Sequence, residues 1–140
     1  MRRRRRTEIL IKGSSELAKN MFKEIERNYE IKTVEEADNG LVMVKMRESA
    51  KNSLFYLGEV LITEAKVQIN QKFGIGIVRG YKPKFAYWLA VIDAAYNLNL
   101  EEIKNWEKAL IKEENEIKSL VAISQAKILK TKVNFENMKV

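Results

Sequence analysis

The chain has 140 residues, 46% of them hydrophobic, which suits one domain around one core. Its 26 basic and 19 acidic residues give a formal charge of +7, and it contains neither histidine nor cysteine. Those two absences exclude disulfides, thiolate chemistry and any Ser-His-Asp or Cys-His nucleophile, and they remove the usual ligands of zinc, haem and iron–sulfur clusters. What remains for chemistry is a carboxylate site holding magnesium. No apolar run approaches the roughly 18 residues of a membrane span. No apolar segment follows the first arginines as a secretory leader would, so a reducing cytoplasm is the expected setting.

The charge is concentrated at the start. With Arg2 to Arg6 set aside, the 26 basic residues fall to 21 against 19 acidic ones. Five consecutive arginines fit a tail for nucleic acid or another acidic surface. The competing reading is a solvated N-terminal turn. The near-balanced body favours it, because a phosphate-tracking protein spreads basic charge over a face. On this reading, removing Arg2 to Arg6 leaves folding and assembly intact.

Thr7 to Lys12 reads as a short helix stopped by Gly13, and Ser14 or Ser15 caps a second helix. There Leu17, Met21, Phe22 and Ile25 make an amphipathic face that ends near Tyr29. Glu35 to Gly40 is acidic and closes on the turn signal Asp38-Asn39-Gly40. Leu41 to Arg47, Leu54 to Leu57, Val60 to Ile69 and the segment from Phe73 read as strands, with Gly58 separating the second from the third. Phe73, Ile75 and Ile77 form the expected core face of the last strand, with Gly74 and Gly76 on the other. Pro83 fits the first turn of a long helix carrying Phe85, Trp88, Leu89, Ile92, Ala95 and Tyr96, with a second stripe of Ala86, Ala90 and Ala94. Asn99 followed by Glu102 resembles a capping box. Ile103, Trp106, Leu110, Ile117, Val121, Ser124 and Ile128 continue at spacings of three and four. A weak step at Glu113 to Glu116 suggests a break between two helices. The pattern gives an α+β fold: an antiparallel meander of about four to five strands, flanked by N-terminal helices and a C-terminal helical segment. One domain is expected over 1–140, divided into a basic extension (1–6), helices (7–29), sheet (30–79) and helices (82–138).

Three features invite a functional reading. Gly74 to Gly80 precedes a helix and carries Arg79, but it lacks both G-x-G-x-x-G and the GK[ST] ending of a phosphate loop. Bare glycines at alternate strand positions instead point to a close neighbour. Either the Ala86, Ala90 and Ala94 stripe or a partner supplies it, and the partner is the expected one. Glu59, Thr63 and Glu64 cluster near Gly58, but two glutamates five apart on a regular strand point to opposite faces, which argues against a shared magnesium or acid–base site. Trp88 and Trp106 belong to core or interface. No catalytic, cofactor or metal residue is assigned. Glu59, Thr63, Glu64, Gly74, Gly76, Arg79 and Gly80 form the candidate partner interface.

These segments carry a resemblance. Gly58-Glu59-Val60-Leu61-Ile62-Thr63-Glu64-Ala65-Lys66-Val67 looks like the central strand motif of the G subunit of the bacterial carbon–phosphorus lyase core complex. Gly74 with Val78-Arg79-Gly80 resembles the strand and turn that follow. Ala90-Val91-Ile92-Asp93-Ala94-Ala95 is similar to its helix motif, Thr131 to Met138 to its C-terminal signature, and Arg6-Thr7-Glu8-Ile9-Leu10 to its opening. The five matches run nearly end to end in order; the arginine run is outside the pattern.

The resemblance implies a cytoplasmic, non-catalytic subunit of phosphonate degradation. Its partners would be the other core subunits, nucleosidase-like and radical S-adenosylmethionine proteins. The assembly would form α-D-ribose 1-methylphosphonate 5-triphosphate from ATP and methylphosphonate before the carbon–phosphorus bond is broken. No cofactor is expected in this chain. The alternative is a small nucleic-acid-binding module using Arg2 to Arg6.

Overall fold

The computed structural model describes residues 1–137, with 133–137 described by backbone alone. Met138, the last residue of the expected C-terminal motif, lies outside the described residues. The elements run α1 (Arg3–Lys12), α2 (Ser15–Asn28), β1 (Lys32–Arg47), β2 (Leu54–Ile69), β3 (Lys72–Arg79), α3 (Pro83–Leu98) and α4 (Ile103–Asn137). The fold is α+β, with an antiparallel sheet in the order β1-β2-β3. It has three strands, fewer than the four to five expected, because neither presumed interruption breaks the ladder. Register shifts within 33–38 carry β1 through its acidic stretch, and Gly58 pairs with Val44 inside β2.

One face of the sheet is covered by α3, and here the expected sidedness of β3 is reversed. Thr63, Ala65, Val67 and Ile69 of β2 point into the core, and their cross-strand partners on β3 are Val78, Gly76, Gly74 and Lys72. Gly74 and Gly76 are therefore core residues. Phe73 and Ile77 lie on the outer face, 48% and 46% exposed, with Ile75 half-buried between them. The cause is the close seating of α3. A Cβ on Gly74 would collide with the Ala90 carbonyl oxygen, and one on Gly76 with the Ala86 carbonyl oxygen. The small-residue stripe of α3 is the neighbour that the glycines accommodate, and it belongs to the chain itself. With no room for side chains between strand and helix, the large apolar residues of β3 turn outward.

The helices follow from local chemistry. The Ser14 hydroxyl accepts from the Glu16 N–H and caps α2. Pro83 sits in the first turn of α3. Asn99 adopts φ 54° and ψ 50°, so it ends α3 as a left-handed cap rather than opening the next helix. α4 is one continuous helix where a break was expected. The polar step in its stripe has a structural cause: Glu113 accepts from the Ser14 N–H at 2.6 Å, and Glu114 takes a two-pronged contact from Arg5 at 3.1 and 2.6 Å. The carboxylates replace apolar contacts at the point where α1 meets α4.

Gly76→Leu should destabilise the isolated chain by at least ~1–3 kcal/mol, the usual range for overpacking, because backbone atoms of α3 occupy the space. Urea denaturation measures this, and a variant of unchanged stability would contradict the packing described.

Candidate interaction surface

The arginine run is part of the fold. α1 begins at Arg3, four residues before the expected start, so 3–6 are helix rather than an extension. Arg6 is buried, and its guanidinium meets the Asp93 carboxylate of α3 at 2.5 Å while lying 4.1 Å from the Tyr96 ring centroid. Arg3 reaches the same carboxylate at 3.1 Å. The other Asp93 oxygen accepts the Ile75 N–H on the free edge of β3. Burial pulls the Arg6 guanidinium below its ordinary pKa, and the Asp93 carboxylate opposes that pull. Burial likewise raises the Tyr96 phenol. The hydrogen bond from Arg5 holds the Glu114 carboxyl below its ordinary pKa. That tie is complete above the usual carboxylate range and weakens as the pH falls through it. Arg3, Arg5 and Arg6 are thus held by carboxylates of the same chain, which corrects the reading of a dispensable tail.

The seven expected interface residues do not form one surface. Thr63 is fully buried: its hydroxyl donates to the Gly80 carbonyl at 2.6 Å and accepts from the Lys82 N–H at 3.0 Å. It fixes the β3–α3 turn, where Gly80 takes φ +85°. Gly74 and Gly76 are covered by α3. These three have no surface to offer a partner, since the chain's own helix and turn occupy the space. Glu59, Glu64 and Arg79 are exposed, and Gly80 is half-buried. Glu59 pairs with Met43 and Glu64 with Asp38 in an unshifted part of β2, so the two carboxylates lie on opposite faces. Among the described residues there is no cluster of three acidic side chains placed to hold a metal ion.

The exposed apolar surface lies elsewhere. β3 pairs with β2 only from Ile62 to Ile69, so beyond that point β1 and β2 continue as a two-stranded arm. Leu41, Met43 and Leu61 lie on one face of this arm and Val42 on the other, and all are exposed. Phe55, Tyr56 and Leu57 add apolar area toward its tip. The far edge of β1 has no strand beside it among the described residues. A two-stranded ribbon has no core of its own and is marginal in water, and an open edge offers a row of unpaired backbone groups. Apolar area of this extent on a protruding element marks a contact surface. Sequence reading treated these residues as ordinary strand faces. The signal available was their lack of a polar alternation, with Leu41 to Val44 and Leu54 to Leu57 apolar throughout.

The pattern that defines the phosphonate metabolism protein PhnG matches residues 1–139. The chain belongs to the PhnG family. No curated protein matches it. The family assignment covers α1 through α4, so the arginine-bearing helix, the arm and the glycine-lined core all lie within it. It makes the chain a phosphonate metabolism protein. No helix of the described residues is long and apolar enough to cross a membrane.

Arg6→Ala leaves the Asp93 carboxylate buried beside a weaker set of partners, and stability should fall by about 3–5 kcal/mol. Deleting residues 2–6 should lower the melting temperature at least as much, and an unchanged melting curve for both variants would refute the role given to the pair. In amide exchange of the isolated chain, the arm residues of β1 and β2 should exchange much faster than Ala65 to Ile69, because no third strand or helix protects them. Equal protection along β2 would argue against an unsupported arm.

Proposed function

We propose that this chain is a non-catalytic subunit of the cytoplasmic carbon–phosphorus lyase complex. In that role it supports the formation of α-D-ribose 1-methylphosphonate 5-triphosphate from ATP and methylphosphonate by other subunits. The observation that carries the reading is the apolar β1–β2 arm in a chain of the PhnG family: surface of this kind is retained where a partner covers it. The residue inventory supports the same view. The chain has no histidine, the usual general base near neutral pH, and no thiolate nucleophile, which supports leaving the chemistry to its partners. The nucleosidase-like and radical S-adenosylmethionine subunits are those partners. The docking face is the arm with the exposed Glu59 that lies on it, while Glu64 and Arg79 flank it on the other face of the sheet. The open edge of β1 suits addition of a strand from the partner.

The purified chain should release no adenine from ATP and methylphosphonate above buffer, whereas the assembled subunits should. The double variant Leu41→Asp/Leu57→Asp changes only exposed side chains, so the isolated protein should keep its stability to within about 0.5 kcal/mol. It should nevertheless fail to co-purify with the other subunits. Adenine release by the chain alone, or normal assembly of that variant, would overturn the proposal.

A further inference from the structure

The second half of α4 leaves the body. Ile103, Trp106 and Leu110 are buried against it, but every residue from Lys118 to Lys132 is exposed, about 22 Å of helix at ~1.5 Å per residue. The apolar stripe does not stop with the contact. Ile117, Val121, Ser124 and Ile128 continue it at spacings of four, three and four, the repeat of a helix that pairs with another helix. Leu120 lies beside the stripe and is 68% exposed, and Ile128 within it is 63% exposed. At the root of the free segment, Ile9 of α1 with Ile117 and Val121 of α4 lines a largely apolar groove of about 330 Å³.

The charges along this helix identify what fits it. Glu113, Glu114 and Glu116 stand at the root, whereas from Ile117 to Lys132 there is no acidic residue and Lys127, Lys130 and Lys132 stand toward the end. Among residues 1–132, Glu116, Lys127 and Lys130 form no salt bridge. Two such helices laid parallel would set lysines against lysines. Laid antiparallel about a point between Ala122 and Ile123, Ile117 of one meets Ile128 of the other, and Val121 meets Ser124. The same register brings Glu116 to the flank that carries Lys127 of the second copy, and Glu114, already held by Arg5, level with Lys132. Apolar register and charge register coincide in the antiparallel arrangement alone.

We infer that the chain self-associates through residues 117–132 of α4, which form an antiparallel helix pair with a second copy. The contact is separate from the β1–β2 arm and uses none of its residues, so it stands or falls independently of docking to other subunits.

The full-length chain alone should sediment as a dimer at tens of micromolar. Val121→Asp, at an already exposed position, should raise the dissociation constant by at least about tenfold through one buried charge per copy. Glu116→Lys should also weaken the dimer, and adding Lys127→Glu to it should restore it. Because the chain has no cysteine, single replacements report the direction of pairing. A mixture of Ile117→Cys and Ile128→Cys chains should form a mixed disulfide under mild oxidation, while each variant alone should not cross-link. A monomeric wild type at that concentration would overturn the inference, leaving the stripe to a helix of another subunit. So would a dimer indifferent to Val121→Asp, or efficient cross-linking of Ile117→Cys chains with one another, which would mean a parallel pair or a different contact.

Discussion

The carboxylate of Asp93 is the point on which the structure turns. It is buried on α3, within 2.5 Å of the Arg6 guanidinium and 3.1 Å of Arg3, and it accepts the Ile75 N–H of the edge strand. One side chain ties the distant α1 to β3 and α3. A buried carboxylate is tolerated only when it is paired and its lone pairs are filled, and here two guanidinium groups and a backbone donor fill them. The Tyr96 ring beneath Arg6 completes the enclosure. The pair also sets the position of α1, which in turn meets α4 through Arg5, Glu113 and Glu114.

The same tie protects one edge of the sheet. On β3 the Ile75 N–H goes to Asp93, and the Phe73 carbonyl accepts from the Asn97 side chain of α3. Two successive groups of that edge are engaged by the helix lying on it, which makes further strand pairing there difficult. β1 has no comparable cover, and its arm runs past both β3 and α3. The sheet is therefore asymmetric: one edge is closed by the chain itself and the other is open where the apolar arm begins. This asymmetry, more than any individual residue, points the proposed docking toward β1 and the arm.

Two of the chain's features are often read as signs of ligand chemistry and here have structural causes. Gly74 and Gly76 let α3 approach the strand closely, and their place in the core is set by the helix backbone. Thr63 bridges the Gly80 carbonyl and the Lys82 N–H and so holds the turn into α3. Both fall in segments that resemble family motifs, so those motifs are explained in part by the geometry of the β3–α3 junction. The arginine run behaves in the same way: a string of like charges resembles a tail in sequence, but the carboxylates that neutralise it are 87 to 109 residues away.

Much of the architecture was legible in the sequence because it rests on local rules. Ser14 capping α2, Pro83 opening α3, the amphipathic period of the helices and the two-residue alternation of β2 from Ala65 to Ile69 each depend on near neighbours. The resemblance to the family was likewise carried by ordered local motifs. What the sequence left undetermined depended on distant partners. Phe73, Ile75 and Ile77 look like a core face until α3 is seated on Gly74 and Gly76; the free energy of close helix–strand packing then decides against the larger residues. Glu113 and Glu114 look like a helix break until the Ser14 N–H at the start of α2 and Arg5 of α1 are found against them. Leu41 and Leu61 look like ordinary buried strand positions until β3 is found to stop at Arg79, opposite Ile62 and short of them. Sequence determined the periods and the caps, since those are set by backbone geometry within a few residues. Only tertiary structure decided which face is inside, which charges are paired and which apolar surface is left bare, since those depend on where each strand and helix ends against its neighbours.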